Sequence, residues 1–466
     1  MKFSYKELIM CRVLQLGLLA MLTCALSCEK YLEIDPPNHQ LIGEVVFQDG
    51  STVEAAFAHI YAEMRDYSPV SGDISGISYV MGLYADEYDH FSEYQQSARS
   101  FYDNAVLPSN TTVLSLWNSS YGLIYAVNRI LEGVGSSTSL SQVEKDRFMG
   151  EAYFLRAFLH FHLVNLFGDV PYLDSTDYRV NQDVSRMDTE SVYQRLVSDL
   201  TLANELMSTS ADDALHFRPD PWVASALLAR VYLYRGDWAL ALEESIGVIA
   251  SSGRSLEAEL GSVFKKGSAE TLWQLDPGTQ GYNTVEAYTL VILSSPPANI
   301  ALAQPLLDSF EEGDQRLVDW VGSFSDGTDT WLFPNKYKLY NATAETEECS
   351  ILFRLSELYL IAAESSAQLG ELDQALGYLN AVRARASLPL LPDMGQEEVL
   401  DAIYHERRIE LFSELGHRFM DLKRSGRADL EQGISKPGWD ATDIVLPIPE
   451  QELIKNPNLL PQNDGF

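Results

Sequence analysis

The residues best suited to chemistry crowd into one stretch, YHERRIELFSELGHRFMDLKR, from Tyr404 to Arg424. The pair His405-Glu406 is half of a zinc-hydrolase signature, which needs a second His four residues after the first so that both ligands share one helix face. Position 409 is Ile, so that chemistry fails. The same spacing predicts another role. Tyr404, Arg408, Phe412 and Leu415 fall on one helix face, which draws Arg408 toward the core, and a buried guanidinium needs carboxylates around it. Glu406, Glu410, Glu414 and Asp421 are at hand, so the stretch reads as a structural ion-pair network. His160 and His162 lie two apart on a helical pattern, on different faces, and make poor co-ligands. The run Asp326 to Thr330 (DGTDT) holds acids suited to calcium but lacks the full loop pattern. There is no Gly-rich phosphate loop and no Gly-x-Ser-x-Gly elbow. The expectation is no catalytic residue, no metal site and no cofactor.

Two other groups of residues carry more. The first is Cys28, in Ala25-Leu26-Ser27-Cys28. Lys2, Lys6 and Arg12 open the chain, and Val13 to Leu26 run without a charge. That is a basic segment followed by an apolar one too short to span a bilayer, and it reads as a secretory signal over residues 1–27. A small residue and then Cys at its end looks like a bacterial lipoprotein signal, with Cys28 as the lipidated thiol. Of four cysteines, only Cys349 would then remain free, and a lone Cys is most often a small buried hydrophobe.

The second group is aromatic. Tyr84, Tyr88, Phe91 and Tyr94 fall in one weakly periodic segment, and Tyr282, Tyr288, Trp320, Trp331 and Phe333 in another. Flat apolar rings can stack on sugar rings or on apolar side chains, with nearby amides and acids to fix orientation. The predicted ligand contacts are Tyr88, Tyr94, Tyr282, Tyr288, Trp320 and Trp331.

Those rings need a scaffold. The chain has 466 residues and a formal charge of −34, which argues against a nucleic-acid partner. Hydrophobic content is 46%, enough for a large core. Pro36-Pro37 marks an extended tether over residues 28–50. Residues 51–466 read as one mostly helical domain, with hairpins at about 117–167, 191–250 and 352–424. Loop-rich regions lie at about 79–107 and 253–349. Two segments repeat: LLARVYLYRGDWALALEESIGVI from Leu227 and LIAAESSAQLGELDQALGYLNAV from Leu360. Aligning Ala229 with Ala363 puts Gly236 on Gly370 and Ala241 on Ala375. Helix, Gly turn and second helix at this spacing describe a tetratricopeptide-type hairpin.

Taken together the chain resembles the SusD/RagB-like outer-membrane nutrient-binding lipoproteins. The resemblance rests on CEKYLEIDPP at Cys28, WNSSYGLIYAVNRIL at Trp117 and GEAYFLRAFLHFHLVNLFGDVPY at Gly150. It also rests on RLSELYLIAAES at Arg354, ERRIELFSELGHRFMDLKRSG at Glu406 and the ending LPIPEQELIKNPNLLPQNDGF at Leu446. It implies a tetratricopeptide-like helical-repeat bundle with an inserted loop-rich ligand-binding subdomain. It implies a lipid-anchored protein on the outer face of the outer membrane that binds an oligosaccharide and passes it to a SusC-like TonB-dependent transporter. A peptide ligand in the same kind of complex is the alternative. No catalysis is implied. The shared motifs are mainly structural, so Cys28 is the one functional residue that transfers.

Overall fold

The structure is a computed structural model that describes residues 46–207 and 214–466. Cys28, the signal segment and most of the tether lie outside the described residues. Helices dominate. They are α1 (Gly50–Tyr67), α2 (Ile77–Tyr84), α3 (Gln96–Tyr102), α4 (Thr111–Ser136), α5 (Gln142–Phe167), α6 (Thr189–Met207), α7 (Pro221–Arg235) and α8 (Trp238–Ser251). After a long insertion come α9 (Leu355–Gln368), α10 (Leu372–Arg385), α11 (Gln396–Glu410) and α12 (His417–Arg424).

Local chemistry sets the helix ends. Asn110 caps α4 by accepting from the backbone N–H groups of Thr112 and Val113, at 2.8 and 3.2 Å. Ser141 and Glu144 form a reciprocal capping box on α5. Asp220 caps α7, with Pro221 in its first turn. Gly236 and Gly370 both stand at positive φ, +77° and +82°, and turn the chain between paired helices. A side chain is strained in that region, which is why both repeats place Gly there.

The long helices pack in a continuous row, α4 on α5, α5 on α6, α6 on α7, α7 on α8, and α8 directly on α9. Helix α5 sits inside this row and is buried on every side along its second half, from Phe154 to Phe167. Helices buried all round lose their amphipathic pattern. Residues 252–354 therefore leave the row after α8 and return to it at α9. The insertion is closed at its base by two antiparallel strands, β2 (Thr271–Leu275) and β6 (Ser350–Arg354). Both are buried along their length. Three short pieces of sheet result. The other two pair β1 (Tyr88–His90) with β3 (Ile300–Leu302), and β4 (Val321–Ser325) with β5 (Thr330–Pro334).

A buried ionic cluster fastens the insertion to the helices. Glu410 receives Arg354 at 2.5 Å, Arg316 at 3.0 Å and Arg385. Glu406 receives Arg316 at 2.6 Å and Arg383 at 3.2 Å. Glu270 binds Arg354 and Arg385, while Glu414 binds Lys336 and Arg354. Burial alone would raise the Glu410 carboxyl, but Arg385, Arg354 and Arg316 outweigh it and hold the group well below the ordinary range. Glu270, Arg316 and Lys336 come from the insertion, and Arg383, Arg385, Glu406 and Glu410 from α10 and α11.

Two expectations need correction. The expected network exists, yet its buried guanidinium on α11 is Arg407, bound to Asp421 at 2.8 Å, while Arg408 is partly exposed and pairs with Asp86 at 2.6 Å. The reason is that α11 stops at Glu410 and the chain turns through Ser413 and Leu415 at positive φ, so Phe412 and Leu415 leave the helix face. Second, 79–107 is not loop-rich: it holds most of α2, then β1 and α3. Every residue of α2 except Ser78 is buried, so no helical period shows in its sequence. Asp326, in the acidic run 326–330, is a hairpin residue. Ser295 and the N–H groups of Thr328 and Asp329 donate to it, and these bonds hold its carboxyl down to about 2.

Candidate ligand-binding face

The predicted aromatics divide sharply. Trp320 is fully buried. Its Nε1 donates to the Leu260 carbonyl at 3.0 Å, and Phe264 meets its ring edge-on at 5.5 Å between centroids. The Lys336 ammonium lies 4.8 Å from its ring centre. Tyr88 is also buried, on β1, against α2. Gly82 makes that possible, since a Cβ there would come 2.3 Å from the Tyr88 ring. These two rings are core, and neither offers a stacking face. Tyr84 and Phe333 are buried as well. Both strands and short helices of the insertion pack large rings inward, and period-two or short apolar runs do not reveal which rings those are.

Tyr94, Tyr282 and Tyr288 are different. They are 93%, 59% and 76% exposed. Trp331 is half-buried on β5, opposite Phe324 across the β4–β5 hairpin, with ring centroids 6.5 Å apart. Behind them Ile292, Ala301 and Phe333 form a small core against which Phe91, Val291, Phe324 and Trp331 pack.

Hydrogen bonds tie the segments bearing these rings into one layer. The side chain of Gln95, next to Tyr94, donates to Asn299 Oδ1 at 2.9 Å, and Asn299 Nδ2 donates to the carbonyl of Thr289, next to Tyr288, also at 2.9 Å. Asn283, next to Tyr282, donates to Thr343 Oγ1 and accepts from the Glu347 N–H, both at 3.0 Å. The Gly281 carbonyl accepts from the Thr343 N–H at 2.8 Å and its N–H donates to Thr346 Oγ1 at 3.0 Å, and there is no room for a side chain: a Cβ there would meet the Thr343 oxygen at 2.3 Å. Ser295 bridges to Asp326 in the hairpin turn at 2.6 Å. Loops held in this way present rings at little entropic cost.

The sequence missed Tyr67, which is 68% exposed at the end of α1. Its neighbour Arg65 donates to the Asp276 carbonyl at 3.1 Å, which brings the 276–284 loop beside it. Tyr67 also lines a groove of about 250 Å³ between α1 and α4, with His59, Glu63, Ser119 and Leu123. Its signal was slight: an aromatic at a helix end beside Ser68-Pro69, outside both regions singled out as loops.

A cleft of about 280 Å³ lies elsewhere, between α4 and the C-terminal segment, lined by Trp117, Tyr121, Asn181, Glu452 and Asn456 among others. Its polar groups are largely spent on holding that segment. Tyr121 donates to the Pro171 carbonyl, Asn456 to the Val184 carbonyl, and Lys455 to Glu452. It reads as a packing seam. The open aromatic face has exposed rings without such commitments. Among the described residues no group of His, Cys, Asp and Glu is arranged to hold a metal ion. His160 and His162 are buried and neutral, each held down to about 3 by burial. Cys349 is buried and free, and burial pushes its thiol up to about 12.

A row of helical hairpins interrupted by one long insertion, with exposed rings on and beside it, defines a helical-repeat protein. Comparison with known proteins gives the family. Residues 30–233 match the SusD-like family described as "Starch-binding associating with outer membrane", and residues 321–466 match the SusD family. A SusD-like protein of Formosa agariphila is 26% identical over 94% of this chain and 97% of its own length. A SusD superfamily structure from Bacteroides vulgatus superposes with a TM-score of 0.79 at 20% identity, covering 90% of this chain and all of the other. A structure described as a laminarin binding SusD-like protein gives 0.77 at 24% identity, covering 89% of this chain and 99% of the other. The chain belongs to the SusD/RagB-like family.

Proposed function

We propose that this protein is a surface lipoprotein of the outer membrane that binds an oligosaccharide on its loop face and delivers it to a SusC-like TonB-dependent transporter, with no chemical step of its own. The observation that carries the reading is the set of exposed rings, Tyr94, Tyr282 and Tyr288 with half-buried Trp331, on loops braced by side-chain hydrogen bonds. Exposed rings cost the free protein contact with water, and a ligand with apolar C–H faces relieves that. The family description, and the laminarin named for one structural neighbour, support a glycan. None of the described helices is long and apolar enough to cross a membrane, and the reading assigns attachment to lipid on Cys28.

Calorimetry against oligosaccharides, with mixed short peptides as the competing class, tests the ligand. Binding of peptides and of no glycan would overturn it. For the anchor, Cys28→Ala should release the protein from the outer-membrane fraction of cells lacking the transporter. Persistent attachment of that variant would argue against lipidation.

A further inference from the structure

The charge around the exposed rings narrows the ligand, given the glycan reading above on which this inference rests. The face is built from residues 65–76, 91–95, 276–299, 321–331 and 338–347. These segments carry nine carboxylic residues and only two cationic ones, Arg65 and Lys338. Arg65 is committed within the protein, and Lys338 is half-buried beside Glu348. Arg65 grips both oxygens of Asp66, each at 2.7 Å, and its remaining nitrogen donates to the Asp276 carbonyl. Lys338 lies in the field of Glu348, whose carboxylate accepts the Lys338 backbone N–H at 3.0 Å. A sulfate or uronate group recognised by protein is normally met by a free guanidinium or ammonium. Here it would meet carboxylates instead.

The same acids suit a neutral sugar. Glu93 is exposed beside Tyr94, and Glu347 is exposed where its backbone N–H donates to Asn283 of the Tyr282 loop, while exposed Glu345 accepts from Gln280 on that loop. Carboxylates accept from hydroxyl donors, and neighbouring hydroxyls on an uncharged pyranose supply two such donors to one carboxylate. Rings stack on its C–H face while acids read its hydroxyl edge. We infer that the protein takes uncharged glycans and rejects sulfated and uronic ones.

The test pairs each neutral glycan with an anionic derivative on the same backbone: laminarin, starch oligosaccharides and galactomannan, each beside its carboxymethylated form. Calorimetry uses the full-length protein in detergent. The neutral form should bind with an affinity that changes by less than about twofold with salt, since no charge pair is screened. Its carboxymethylated form should bind at least about tenfold more weakly at low salt, and the gap should shrink at high salt. Asp66→Asn, which frees Arg65, should narrow that gap further. An anionic form that binds as tightly or more tightly, with affinity falling as salt rises, overturns the inference and leaves the glycan reading standing. No binding by either member of any pair removes the glycan reading and this inference with it.

Discussion

The aromatics of the buried core and those of the outer loop layer are the same residue types under opposite rules. Within the core, Phe154 and Phe158 stack on each other and pack edge-on against Trp273 at 5.1 Å each, and nothing of them reaches solvent. On the outer layer, Tyr94 and Tyr288 sit almost free, although their neighbours Gln95 and Thr289 are tied down. The core spends its rings on stability. The outer layer spends backbone and amide hydrogen bonds on stability and leaves its rings for something else. Between the two lies the ionic cluster around Glu410, which belongs to both.

The cluster gives the largest expected effect. Glu410→Ala leaves three buried guanidinium groups short of a partner, and breaking a buried ion pair in this way costs about 3–5 kcal/mol. Thermal and denaturant unfolding should both show it. A loss below about 1 kcal/mol would mean that the insertion is not locked to α11. Trp320→Ala comes next. It removes a fully buried indole, for a cost of about 3–5 kcal/mol, and should lower the melting temperature well before any effect on binding is visible.

Acid should strike the frame and not the outer face. His160, His162 and His417 are held down to about 3, about 3 and about 4 by burial. Unfolded histidine titrates near 6.5, so the unfolded chain takes up protons first and stability falls as pH drops from about 6.5 toward 4. Glu357 adds to this below about pH 4.5: burial raises it, but Arg230 and His417 outweigh that and hold it down to about 2. Glu87 opposes, because burial raises it to about 7, so its share of stability falls as pH rises from about 4.5 to 7. Glu286 and Glu406, also raised by burial, oppose in the same way, but the histidines together with the arginine-held carboxylates Asp86, Glu410 and Glu414 leave a net loss on acidification. A melting temperature that stays level from pH 7 to pH 4.5 would contradict this balance. The smallest effect on stability belongs to the outer layer: Tyr288→Ala should shift it by less than about 0.5 kcal/mol.

Much of the frame was legible in the sequence because its signals are local. Caps, the two Gly turns and long runs at helical spacing each reflect neighbours along the chain. The match of Gly236 with Gly370 is the clearest case, since one backbone conformation demands the same residue twice. The insertion was harder. Its strands are three to five residues long and its core is made of contacts between distant segments, so alternation has no room to show. Tyr88 and Trp320 looked like Tyr94 and Trp331 for that reason. What separates them is Gly82 beneath one ring, a contact that needs α2 and β1 folded together, and Leu260 and Lys336 around the other, both remote in sequence. The acid-to-cation balance of the face was likewise hidden until folding selected which segments lie together.

The central claim is that the exposed rings bind a glycan and carry none of the fold. It is tested most directly by one calorimetric titration of the full-length protein and of a variant with Tyr94→Ala, Tyr282→Ala and Tyr288→Ala, using neutral oligosaccharides, with melting temperatures recorded alongside. The account predicts that the variant loses at least about tenfold in affinity, about 1.4 kcal/mol, while its melting temperature stays close to that of the parent. A variant that binds the glycan as tightly as the parent, or one that loses binding only because it melts, would contradict it.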